Sequence, residues 1–110
     1  MVGAKDTIEV LLNRLDDAFQ SKARLGIVAA LVGAGSLDFK SLRSTLSLTD
    51  GNLASHLAYL EKRGFVRSEK SFVGKRTHTE LFLTDEGRLA FGQYIDALEA
   101  IIDGAKKQQG

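Results

Sequence analysis

Cysteine, proline and tryptophan are all missing from this chain of 110 residues. Without cysteine there is no disulfide, no thiol redox switch and no cysteine-built metal site, which fits a reducing compartment and sets the expectation of a cytoplasmic protein. Without proline, no ring interrupts a helix from within. Aromatic residues are scarce, at 7%, and the net charge is only +1. No apolar run approaches the roughly 20 residues of a membrane span, and the first residues lack the basic-then-apolar pattern of a secretion signal. No membrane partner is therefore expected. What remains is the composition of an ordinary folded protein, 44% hydrophobic and 26% charged, enough for one modest core. A single domain, 1–110, is the expectation.

The small net charge hides an uneven distribution. Between Glu61 and His78 stand Lys62, Arg63, Arg67, Lys70, Lys75 and Arg76 against only Glu61 and Glu69. From Asp85 to Asp103 the balance reverses, with Arg88 facing Asp85, Glu86, Asp96, Glu99 and Asp103. A basic block can follow a polyanion, although solvated surfaces also carry such blocks.

Hydrophobic spacing predicts the elements. Ile8, Leu11, Leu12, Leu15 and Phe19 recur at three- and four-residue steps and predict a helix over 6–19. Ser21 caps a second helix, 22–32, apolar around much of its circumference and hence central. Gly33 to Gly35 end it, and Ser36-Leu37 read as a short extended link able to join a sheet. Asp38 caps a helix burying Phe39, Leu42 and Leu46. After the turn Ser47-Leu-Thr49, Thr49 caps another helix over 50–63, with Asp50 in its first turn and Gly64 as its stop. A β-hairpin follows over 65–83, with its tip at Gly74-Lys75-Arg76. Thr84 opens a last helix to about residue 102, and the polar tail beyond it is expected to fray.

The segment 37–83 is the most informative. Two short helices at a tight turn, then a cationic hairpin, make a winged helix-turn-helix, which offers a polar helix face to the major groove and a basic finger to the flanking backbone or minor groove. Within 50–63, Leu53, Leu57 and Leu60 point inward, while Gly51, Asn52, Ser55, His56, Tyr59 and Lys62 share the opposite side. Asn52 can pair bidentately with adenine, Ser55 and His56 can reach bases or phosphates, and Gly51 permits close approach. Lys75 and Arg76 suit a narrow, negative groove. Lys40 and Arg43 are candidates for the phosphate backbone, and Thr49, the cap, is counted with the DNA-binding residues. A merely solvated helix face and a charged turn that discourages edge pairing would show the same residues, and both readings stay open on the residues alone.

Several strings together carry a family resemblance: Leu48-Thr-Asp-Gly-Asn-Leu-Ala-Ser-His-Leu57, Leu60-Glu-Lys-Arg-Gly-Phe-Val66, Gly74-Lys-Arg76 and Phe82-Leu-Thr-Asp-Glu-Gly-Arg88. Across nearly the whole chain the sequence resembles prokaryotic winged-helix transcriptional regulators, most of all the compact group related to the MarR and ArsR families. The resemblance implies a homodimer that binds operator DNA through the second helix of the motif and the wing, a role falling on Asn52, Ser55, His56, Lys75 and Arg76. One departure is visible: many MarR-like wings place an acid two residues before the wing arginine, and here that position is Gly74.

The expected architecture is mainly α, an α+β winged helix with a two- or three-stranded wing. The terminal helices, 1–20 and 84–103, carry more apolar surface than so small a core can cover. Ile8, Leu11, Leu12, Leu15, Phe91, Tyr94, Ile95, Leu98, Ile101 and Ile102 are therefore expected to build an isologous dimer interface; folding back onto their own chain is the alternative. The expected function is sequence-specific binding of double-stranded DNA, with a winged helix used only for protein contact as its rival. No enzyme is expected: neither histidine has an acidic or nucleophilic partner at useful spacing, and no phosphate-cradling loop is present. No cofactor or metal is expected either, since Asp96, Glu99 and Asp103 read as a solvated face. An effector is left unknown, and no separate sensor domain fits this length.

Overall fold

The computed structural model describes residues 4–109. Its elements run α1 (Ala4–Asn13), a 3-10 turn (Asp17–Phe19), α2 (Lys22–Ala34), β1 (Ser36–Asp38), α3 (Phe39–Leu46), α4 (Asp50–Lys62), β2 (Val66–Val73), β3 (Arg76–Leu83) and α5 (Asp85–Gln109). This is the winged helix-turn-helix expected from the sequence, with a three-stranded antiparallel sheet in the order β1-β3-β2.

Local chemistry sets the helix ends. Ser21, Asp38 and Thr49 each turn a side-chain oxygen onto the backbone N–H three residues ahead, at 3.3, 2.6 and 3.1 Å. Each satisfies a donor that the first turn of a helix leaves orphaned. Gly35 and Gly64 stop α2 and α4 with φ of 83° and 78°, while Ser47 takes a left-handed φ of 54° to turn α3 into α4.

The wing is a long hairpin whose register runs from Val66↔Leu83 to Val73↔Arg76. Its base belongs to the core, with Val66, Leu81 and Leu83 buried; its outer half is exposed on both faces. Fully buried Ile27, Val28 and Leu31 place α2 at the centre, packed by Leu42 of α3 and by Leu53, Leu57 and Leu60 of α4. Burying those three leucines rolls the opposite side of α4 outward.

At the start of α5, the Thr84 hydroxyl donates to the Gly64 carbonyl at 2.6 Å and accepts from the Gly87 N–H at 2.9 Å. Gly87 lies so close to the Phe65 backbone that a Cβ there would overlap the Phe65 carbonyl oxygen. This explains the Leu83-Thr84-x-x-Gly87 element: it locks the last helix to the root of the wing.

Three expectations need correction. The first helix does not reach residue 19 but stops at Asn13. The Asp16 carboxylate accepts from the Ala18 N–H at 2.9 Å and starts a separate 3-10 turn, which carries Phe19 into the core. There Phe19 meets Phe65, Phe91 and Tyr94 at centroid separations of 5.7, 5.3 and 5.2 Å. Tyr94, expected at a subunit interface, is thus buried by its own chain, and Leu15, Phe91, Ile95 and Leu98 also pack against that core. The tail expected to fray continues α5 to Gln109. Ala105, Lys106 and Lys107 are good helix formers, and the two lysines suit the negative end of the helix dipole.

The molecule is elongated, 63 × 24 × 22 Å, with a radius of gyration of 17.0 Å. A compact chain of this length would have about 13 Å. The excess is consistent with the length of α5, 25 residues of which only the part up to Leu98 packs on the core, with α1 packed alongside the helix.

Candidate nucleic-acid interface

α4 owes its orientation to its three inward leucines, and its outward side is then fixed by geometry. Gly51, Asn52, Ser55 and Lys62 are exposed on it, whereas His56 and Tyr59 are half-buried. Thr49, the cap, is exposed just ahead of them. Short polar groups thus stand near the N-terminus of the helix, where partial positive charge also favours an anion.

Tyr59 is not a free contact. The Arg24 guanidinium lies 4.2 Å from its ring centroid, and Arg63 Nη1 donates to its hydroxyl at 3.3 Å. Arg63 also grips Asp16 with both Nη atoms, at 2.9 and 2.7 Å. That bidentate hydrogen bond holds the Asp16 carboxyl below its ordinary range, and the same pairing raises Arg63. Arg24 donates in turn to the carbonyls of Ala18 and Asp17 and approaches His56 Nδ1 at 3.4 Å. Two arginines thus tie α4 to the 3-10 turn. Neither role is marked by the sequence pattern. Arg24 is detectable as the lone cation past the first residue of an otherwise apolar helix, but its partners on α4, His56 and Tyr59, lie 32 and more residues away along the chain and leave no local signal.

Arg43 is also committed within the chain. Its Nη1 sits 2.6 Å from Asp50 Oδ1, bracing α3 against the first turn of α4. As a phosphate contact it would have to leave Asp50, so the structure gives it a bracing role first. Lys40 is exposed on α3 and lines a groove of about 370 Å³ together with Arg76, Val73 and Thr77 of the wing. The positioning helix and the wing therefore share one channel.

At the wing tip a two-residue turn, Gly74-Lys75, joins Val73 to Arg76. Gly74 has φ of 66°, which the first central residue of a type II′ hairpin turn requires. Lys75 and Arg76 are exposed beside it. Phe72 and Val73 are exposed too, at 76% and 69%, an unusual apolar pair on a basic finger. Further down the wing, Arg67 is neutralised by Glu69 and stacked on Phe82, while His78 pairs with Glu80, which accepts from Ser36 at 2.7 Å. Arg67 and His78 are thus engaged within the sheet rather than left without a partner.

A separate polar cleft of about 880 Å³ lies between α1, the end of α4 and α5, lined among others by Leu12, Arg14, Asp16, Tyr59, Arg63 and Gln93. Among the described residues, no cluster of three or more His, Asp or Glu is placed to hold a metal ion, and no helix is long and apolar enough to cross a membrane.

The comparisons agree with this geometry. Residues 23–102 match the family model described as winged helix DNA-binding domain. An uncharacterized protein of Methanocaldococcus jannaschii is 44% identical over 77 residues, 70% of this chain and 84% of that protein. Among solved structures, the transcriptional regulator homologue of Pyrococcus horikoshii superposes with a TM-score of 0.79 at 32% identity, covering 88% of this chain and 97% of that one. A MarR-family regulator from Enterococcus faecalis shares the fold, with a TM-score of 0.70 at 22% identity over 99% of this chain and 94% of its own. With its helix-turn-helix and wing in place, the chain belongs to the winged helix DNA-binding domain family, and its structural neighbours include prokaryotic transcriptional regulators, one of them of the MarR family.

Proposed function

We propose that this chain is a homodimeric regulator of transcription that reads specific sequences in double-stranded DNA. α4 enters the major groove, and the wing lies on the flanking backbone or minor groove. The observation that carries the reading is the exposed ridge Gly51, Asn52 and Ser55 at the start of α4, beside a channel lined by Lys40 and Arg76. Asn52, Ser55 and His56 face base edges. Lys40, Thr49, Lys62 and Lys75 hold phosphates, Arg76 enters the narrow groove, and Gly51 lets the backbone come close. Arg43 reaches a phosphate only on release from Asp50, and Tyr59 acts through its grip on the arginines. Catalysis is no part of this reading.

The homodimer is supported by apolar side chains that the chain itself leaves in water: Ile8 at 47%, Leu12 at 53% and Ile102 at 48% exposure on α1 and α5. Half-buried Leu11 and Ile101 adjoin them. A two-fold partner covering this face would set two reading helices about 34 Å apart, one turn of the duplex.

Titration of a labelled duplex selected by the protein from a random pool, at two salt concentrations, tests the reading. Binding should weaken steeply with salt as phosphates release counterions. Arg76→Ala should lower affinity for every sequence, while Asn52→Ala should reduce discrimination between sites by about tenfold. One observation favours a second reading, in which the winged helix contacts protein alone: the exposed Phe72 and Val73. Salt-independent or absent duplex binding would favour that reading and end the first.

A further inference from the structure

We propose that Arg24, which lies outside the reading helix, is a positioning residue that fixes His56 as its Nε2–H tautomer, so that α4 offers DNA a hydrogen-bond donor at this position and never an acceptor. The inference rests on the reading of α4 as the base-reading helix.

Arg24 is held from three sides. Its Nε donates to the Ala18 carbonyl at 2.9 Å, its Nη2 to the Asp17 carbonyl at 3.2 Å, and its plane lies over the Tyr59 ring at 4.2 Å. Nη1, left over, points at His56 Nδ1 from 3.4 Å. A guanidinium has five donors, no acceptor, and does not lose its charge in proteins. Its partner at Nδ1 must therefore supply a lone pair. Only a neutral imidazole with its proton on Nε2 can do so; a proton on Nδ1 would face the cation. His56 Nε2 has no hydrogen-bond partner among the described residues, and its neighbour one turn earlier on the same helix is the exposed Asn52.

The consequence is chemical selectivity. A free neutral histidine can switch tautomers and so take either a donor or an acceptor. Locked as a donor at Nε2, His56 can engage guanine N7 and O6, adenine N7, thymine O4 or a phosphate oxygen, but it cannot accept from cytosine N4 or adenine N6. Arg24 thereby removes an ambiguity from the reading helix without touching the duplex.

The tautomer is measured first, on the full chain free of DNA, by long-range 15N–1H correlation of histidine-labelled protein, with His56→Gln identifying the signal against His78. The expected result is an Nε2–H imidazole that becomes a mixture in Arg24→Met and is restored, at least in part, by Arg24→Lys. An Nδ1–H imidazole in the wild type, or no change on replacing Arg24, overturns the proposal. The second measurement is a double-mutant cycle on binding to the selected duplex. Arg24→Met and His56→Ala should each reduce discrimination about tenfold at one and the same position, and together no further; additive losses overturn it. Substituting 7-deazapurine or methylphosphonate at that position tells a base acceptor from a phosphate one, and loss of the His56 effect in either case supports a donor at Nε2. Because the tautomer is read on the free protein, a chain that binds no DNA would end the functional reading while leaving the Arg24–His56 result standing.

Discussion

Gly87 and Asp16 show what single residues contribute here. Gly87 sits where the first turn of α5 crosses the Phe65 backbone, and Gly87→Ala forces a methyl group into a carbonyl oxygen that cannot yield. Overpacking of this kind should cost about 2–3 kcal/mol, read as a lowered urea midpoint with an unchanged slope. Asp16 is a subtler case. Arg63 holds its folded-state carboxyl below the ordinary 3.8, so the pair's contribution is complete above that value and is lost as pH falls through the lower folded value. Asn caps helices as well as Asp does, so Asp16→Asn removes the charge and spares the cap. Urea unfolding should show the variant about 1 kcal/mol less stable at pH 7, the difference shrinking steadily below pH 3.8. At this scale the sequence was legible wherever a residue acts on its own neighbours. Ser21, Asp38, Thr49 and Gly64 do so, and each was assigned its role from local chemistry alone. It was illegible wherever a side chain reaches across the fold, as with the grip of Arg63 on Asp16, 47 positions apart.

Among the elements, the wing separates binding from folding most cleanly. Beyond the buried base formed by Val66, Leu81 and Leu83, both faces of its outer half meet water. Replacing residues 71–78 by Asn-Gly closes the hairpin on the Lys70↔Thr79 pair and removes Phe72, Val73, Lys75 and Arg76. Stability should change by no more than about 1 kcal/mol, since little apolar area was buried there. Duplex binding should lose about two counterions from its salt slope, measured by anisotropy between 50 and 200 mM salt (about −0.9 per phosphate contact). A slope left intact would remove the wing from the interface. Period and turn chemistry identify the wing but cannot delimit α1. The spacing of Ile8, Leu11, Leu12, Leu15 and Phe19 continues past Asn13 without a flaw, yet Asp16 caps a new turn and diverts Phe19 inward. A side chain competing for backbone donors breaks a helix without disturbing its hydrophobic period.

At the scale of the whole molecule, shape and surface give the same answer. In a chain with a radius of gyration of 17.0 Å, α5 packs on the core only as far as Leu98 and then runs beyond it, and on α1 and α5 Ile8, Leu12 and Ile102 lie about half in water. The described residues leave about half of that apolar area open, and the two-fold partner proposed above would cover it. The sequence showed that a surplus existed but not which side chains form it, because Phe19 was counted with the terminal stripe while in fact it draws Phe91 and Tyr94 into the core. Among the described residues, α1 and α5 leave Ile8, Val10, Leu12, Leu89 and Ile102 exposed, and the face proposed for a partner is the one that carries Ile8, Leu12 and Ile102, with Leu11 and Ile101 half-buried beside them. Leu12→Glu combined with Ile102→Glu places charges on that face without touching the buried aromatic cluster. Sedimentation at micromolar concentration should show a dimer for the wild type and a folded monomer for the variant. Each reading helix would then bind alone, and affinity for a duplex with two half-sites should fall 100-fold or more as the linked second contact is lost. Affinity for a single half-site should hardly move, because α4 and the wing are unchanged. A variant that stays dimeric would place the two-fold axis on another face of the molecule.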